Sequence, residues 1–252
     1  EGSVVGLFSI INGATIRNLS LVDTYVKGTY PGGLAGWVSY ADSCFIDHCF
    51  VEALTEGTNY AGVLTSYLFA KSSVSHCYVV GAARSTGVKG GLTAYHTGAA
   101  KVKDSYSVVV GARALGSSSS TNNISNVYYD SDVAGISDNG NDKFRSATTV
   151  EMLSTDFAAR MGEPYEYAFG YYPYIYGMHR INENEKAVIV NGYALCLGKL
   201  TNGSGCRIDF FHRLRCAEVR HQRVDANPSP KHWPAGYRRP DFLVRRDYPK
   251  LF

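Results

Sequence analysis

Two sets of apolar anchors alternate along this chain. Leu7, Leu34, Leu64 and Leu92 sit in glycine-led apolar segments, and Ile16, Ile46, Val74 and Val102 open polar-flanked ones. From each of Ile16, Ile46 and Val74 to the next leucine is 18 residues. From each leucine to the next aliphatic anchor the step is 9, 12, 10 and 10 residues. A fixed arc joined to a variable loop marks a solenoid, because a unit of this size cannot bury its apolar side without stacking on its neighbours.

The local pattern predicts strands. After each leucine the second residue is small (Ser9, Gly36, Ser66, Ala94) and the third is large (Ile10, Trp37, Tyr67, Tyr95). Side chains alternate along a strand, so leucine and the small residue share a face, and the small residue leaves room where that face meets the interior. Glycines just before the leucines permit a tight turn with positive φ. The aliphatic segments read Ile16-Arg17-Asn18-Leu19-Ser20-Leu21, Ile46-Asp47-His48-Cys49-Phe50-Val51, Val74-Ser75-His76-Cys77-Tyr78-Val79 and Val102-Lys103-Asp104-Ser105-Tyr106-Ser107. A fifth copy, Ile124-Ser125-Asn126-Val127-Tyr128-Tyr129, has no leucine strand after it. Apolar or small residues fall at positions 0, +3 and +5, which requires a corner at Asn18, His48, His76, Asp104 and Asn126. No helical period runs through the repeats. The expected fold is all-β, a parallel β-solenoid of about five coils standing ~24 Å tall, and the handedness of parallel crossovers favours a right-handed β-helix.

These segments resemble the GLUG repeat, in which a Gly-Leu-x-Gly-aromatic strand alternates with an Ile-x-Asn-Cys-Tyr-like strand. Gly33-Leu34-Ala35-Gly36-Trp37 and Val74-Ser75-His76-Cys77-Tyr78 match best, and the resemblance covers about residues 4 to 177. The first repeat lacks the aromatic residue and the fourth carries Ser105 in place of cysteine. The resemblance implies a non-catalytic repeat region of a secreted or cell-surface bacterial protein, adhesin-like, with a stalk or adhesive role. The alternative it implies is the repeat region of a larger secreted enzyme, such as an immunoglobulin A1 peptidase-like metalloprotease.

Beyond the repeats the pattern changes. Thr148-x-x-Glu151 is a capping box, and Val150, Leu153, Phe157 and Met161 form one helical stripe, so a helix over about 149–161 is expected to cover the last coil. Gly162 and Pro164 would end it. Asn191-Gly192 between apolar runs signals a hairpin. The domain reading is 1–140 for the repeats, 141–177 for the cap and 178–252 for an irregular basic tail.

Charge sharpens that boundary. Residues 1–200 carry 14 basic and 17 acidic side chains, whereas 201–252 carry 11 and 5. The tail reads as an incomplete or poorly ordered module rather than a nucleic-acid surface. No apolar run approaches the ~20 residues needed to cross a bilayer. The apolar first coil leads to the expectation of neighbouring repeats upstream of Glu1.

Candidate chemistry is sparse. There is no C-x-x-C, H-E-x-x-H or G-x-S-x-G. Cys49 and Cys77 share an inward column, where either a disulfide or small buried thiols fit. His48 and His76 share the corner column, and two ligands are too few for a tight metal site. Asp130-x-Asp132 and 138–142 read as turns rather than calcium loops. No catalytic residue, metal or cofactor is therefore assigned. The one candidate ligand surface is the +4 column, Phe50, Tyr78, Tyr106 and Tyr128, expected to stack outside the solenoid and to face a glycan or host-surface protein.

Overall fold

The structure, a computed structural model, describes residues 3–38, 42–69, 71–97, 99–118, 122–136, 144–168, 170–178, 185–190 and 193–198. It divides into one unit of Glu1–Ala168 with Tyr172–Arg180 and a second of Phe169–Tyr171 with Ile181–Phe252. In the second unit, strands Glu185–Val190 and Tyr193–Gly198 pair antiparallel, as the hairpin signal anticipates. The tail beyond residue 200, with Cys206 and Cys216, the stretch 138–142 and the side chain of Cys196 lie outside the described residues.

The first unit is a parallel β-solenoid of about four turns. Each turn has three walls. The corner sheet holds Thr15–Gly28, Cys44–Gly57, Ser72–Ser75 with Tyr78–Ser85, Lys101–Val110 and Ile124–Asp130. The leucine sheet holds Phe8–Ile11, Ala35–Val38, Thr65–Leu68, Thr93–His96 and Leu115–Ser118. Between them lie the short strands Val4–Val5, Tyr30–Pro31, Tyr60–Gly62 and Val88–Gly90.

Register confirms the columns. Ile16, Ile46, Val74, Val102 and Ile124 are mutual partners along the corner sheet. Leu34, Leu64 and Leu92 are fully buried, while Leu7, in the first coil, is 50 % exposed. The +3 and +5 positions face inward: Cys49, Val51, Cys77, Val79, Val127 and Tyr129 belong to the core, and Ser105 and Ser107 are buried. Cys44, Cys49 and Cys77 are free buried thiols. Cys49 and Cys77 donate to the carbonyls of Asp47 and Ser75, at 3.4 and 3.0 Å.

The turn count falls short of five because the fifth copy builds only one wall. One leucine-sheet strand also departs from the 18-residue arc. Thr93 pairs with Leu115, so Ala114 takes the place of the next leucine, 12 residues after Val102. Gly111, at φ +73°, turns the chain directly from Val110 toward that strand, and no short strand intervenes.

The glycines before the leucines act through space, not through φ. None of Gly6, Gly33 and Gly91 has a positive φ, contrary to expectation, and the same holds of Gly32, Gly62 and Gly90, two residues before Leu34, Leu64 and Leu92. A Cβ on Gly32, Gly62 or Gly90 would lie 1.9, 1.8 and 1.9 Å, respectively, from the carbonyl oxygen three residues on. The chain folds back on itself there too tightly for any side chain. The small residues after the leucines have a related role: Ser66 donates to Tyr60 O at 3.0 Å, so this position packs toward the short strand rather than into the core.

The C-terminal cap also departs from the sequence reading. The expected single helix is two, Thr149–Met152 and Thr155–Met161. Thr148 and Glu151 form the capping box, but Ser154 then caps Phe157 N and donates to Glu151 O, breaking the helix. The restart changes the phase. Met152, Leu153, Phe157 and Met161 are buried, whereas Val150 is 38 % exposed. These helices lie along the flank of the solenoid. The end of the core meets Ala134, Ile136 and Phe144, the last on strand Phe144–Ala147, which extends the corner sheet.

Candidate functional site

The corner sheet bends at the same position in every coil, and the first coil has a further left-handed residue, Asp23, at its register shift. Asn18, His48, His76, Asp104 and Asn126 all adopt left-handed backbone angles, φ 46° to 54°. Asn, Asp and His are the non-glycine residues that tolerate this region best, which explains the polar column. The bend gives the phase shift that turns +4 outward.

Phe50, Tyr78, Tyr106 and Tyr128 do point away from the interior and stack, with ring centroids 4.6 Å (Phe50–Tyr78) and 5.4 Å (Tyr78–Tyr106) apart. They are not exposed. The first three are fully buried and Tyr128 is 4 % exposed, which corrects the expectation of an open ligand strip. The cap covers Tyr78, Tyr106 and Tyr128. Phe157 meets Tyr106 and Tyr128 edge-on, and Tyr165 packs on Tyr78 and Tyr106. Tyr165 donates to Asp104 O at 2.9 Å, and Tyr106 donates to Pro173 O. Tyr172 donates to Asp130 Oδ2 at 2.7 Å, while Asp130 Oδ1 caps the helix Ser131–Ala134. Burial raises the pKa of Asp130, partly offset by these hydrogen bonds. Asp132 accepts from Thr149 N at 2.9 Å, so both carboxylates are structural caps.

A continuous, partly accessible aromatic surface lies on the leucine sheet. Ile10, Trp37, Tyr67 and Tyr95 are register partners, one per coil, on its outer face. Ile10 is 53 % exposed and the three rings are half-buried. Tyr30 and Tyr60 stack beside them at 5.9 Å and 17°. Trp37 bridges Tyr30 and Tyr67 edge-on, and Tyr67 contacts Phe69 at 4.5 Å and Tyr95 at 4.4 Å. Burial, aided by Tyr95, pushes the Tyr67 hydroxyl up to about 12, so it stays protonated. Six rings thus form one continuous patch across three coils. The signal was present in the sequence as the large residue after each small one.

A second feature sits at the corner. Asp47 lies between two histidines: His48 Nδ1 is 2.8 Å from Oδ2, and His76 Nδ1 is 2.9 Å from Oδ1. Ser75 donates to Oδ1 at 2.7 Å and Arg17 lies 3.0 Å from Oδ2. His76 Nε2 is 3.7 Å from Asp104, which accepts from Asn126 at 3.0 Å. Burial alone would raise the pKa of Asp47. Hydrogen bonds from His76 and Ser75, with the close approach of His48, outweigh it and hold the carboxyl well below the usual range. The His48 approach is close, but its Nδ1 makes no directed hydrogen bond. Sequence reasoning found both histidines and missed Asp47, the residue that joins them.

No helix among the described residues is long and apolar enough to cross a membrane. Comparison with models of known families, with curated proteins and with solved structures returns no match.

Proposed function

We propose that this chain is a non-catalytic solenoid scaffold whose half-exposed aromatic ladder binds an extended polysaccharide. The observation that carries the reading is the in-register series Trp37, Tyr67 and Tyr95, one ring per coil, flanked by Tyr30 and Tyr60. Aromatic faces suit the C–H faces of sugars, and the phenol hydroxyls supply hydrogen bonds at the ring edges. Strands repeat at ~4.8 Å, so successive rings meet successive parts of an extended chain and weak contacts add along it. The GLUG resemblance supports a secreted or cell-surface bacterial setting with an adhesive or stalk role.

Electrophoresis through gels containing polysaccharides tests this. The wild-type chain is retarded by at least one polysaccharide, and Trp37→Ala/Tyr67→Ala runs unretarded with its circular dichroism unchanged. Equal retardation of the variant, or no retardation in any of a broad panel, contradicts the reading.

A further inference from the structure

The corner column carries more than a bend requires. The bend needs only a residue that tolerates left-handed angles, and Asn18 and Asn126 meet that need with neutral side chains. Coils two and three instead place histidines there. The position just before the corner is Arg17, Asp47, Ser75, Lys103 and Ser125 in the five copies, so a carboxylate occurs in the copy where it meets both imidazoles. One ligand atom from each of Asp47, His48 and His76 lies within 4.8 Å of the other two.

We propose that Asp47, His48 and His76 form a binding site for a divalent transition-metal ion of the zinc class. Two imidazoles and one carboxylate suit zinc, copper or nickel; calcium and magnesium ask for oxygen ligands throughout. Three protein ligands leave a fourth tetrahedral position for water. The side chains are 16 %, 24 % and 21 % exposed, which leaves an approach for the ion. His48 Nδ1 is a buried atom whose 2.8 Å approach to Asp47 Oδ2 lacks hydrogen-bond geometry. Zinc–ligand bonds of ~2.0–2.2 Å set tetrahedral ligand atoms roughly 3.4 Å apart, so the 2.8 and 2.9 Å contacts, made to different oxygens of Asp47, must open by about half an ångström while the wider separations, up to 4.8 Å, close. Arg17, on an exposed side chain, moves off Oδ2 as the ion takes over its charge. Hydrogen-bonded strands hold the backbone on both sides of the corner.

The site is tested by zinc calorimetry on the full chain, which carries other histidines and cysteines that can bind metal. The informative quantity is therefore the difference between wild type and His48→Asn/His76→Asn, since asparagine already occupies this corner at residues 18 and 126. The wild type is expected to bind one more zinc per chain than the double variant. Asp47→Asn weakens that site by about tenfold or more, and a large excess of magnesium leaves it unchanged. Equal zinc stoichiometry and affinity in wild type and double variant overturns the proposal. Should the double variant lose its fold, zinc-induced shifts of the His48 and His76 imidazole resonances decide instead, assigned through the single variants. Resonances that stay in place as zinc is added overturn the proposal equally.

Discussion

At the scale of single residues, the fold depends on backbone conformations that few side chains accept. His76 sits at φ 47°, where a β-branched residue is strained. His76→Val is expected to lower stability by about 1–2 kcal/mol relative to His76→Asn, measured by urea unfolding. Asp47 gives a pH test. Its folded pKa is depressed, so its contribution is fully present above the unfolded value near ~3.9 and is lost as pH falls toward the folded one. Stability of the wild type should therefore fall through that acid window more steeply than that of Asp47→Asn. The corner residues were legible because the 0, +3, +5 spacing forces a phase shift at one position. The link from Asp47 to both histidines was not, since it joins neighbouring coils through side-chain directions that spacing does not encode.

At the scale of elements, two features of the sequence were read correctly in kind and wrongly in cause or extent. Glycine before each leucine was visible, but the reason is proximity of the returning chain. Gly62→Ala would place a Cβ 1.8 Å from Thr65 O, and a cost above ~3 kcal/mol is expected in thermal or urea unfolding. The cap helix was visible from its capping box and stripe, but a stripe cannot say which surface it meets. Ser154 also interrupts it where the periodicity runs on. The consequence is that the helical pair closes over the outer aromatic column. Tyr106→Ala, at a site with no exposure and with contacts to Phe157 and Tyr165, should destabilise by ~3–5 kcal/mol. A loss below 1 kcal/mol would mean that the cap does not hold the column.

At the scale of the molecule, the anchor spacing specified parallel stacking, the inward columns and the polar corner, because each is a local consequence of period. It does not encode which outer face remains available, and the +4 column, expected to be exposed, is the covered one. Both outer faces carry aromatic ladders in the sequence, and only tertiary packing distinguishes them: the segment after residue 148 covers Tyr78, Tyr106 and Tyr128 and leaves Trp37, Tyr67 and Tyr95 half-exposed. That assignment of one ladder to structure and the other to recognition is the central claim. The most direct measurement is polysaccharide affinity electrophoresis of Trp37→Ala/Tyr67→Ala beside the wild type, on protein shown by circular dichroism to be folded. The account predicts that the wild type is retarded and the folded variant is not. Retardation of both to the same extent would contradict it.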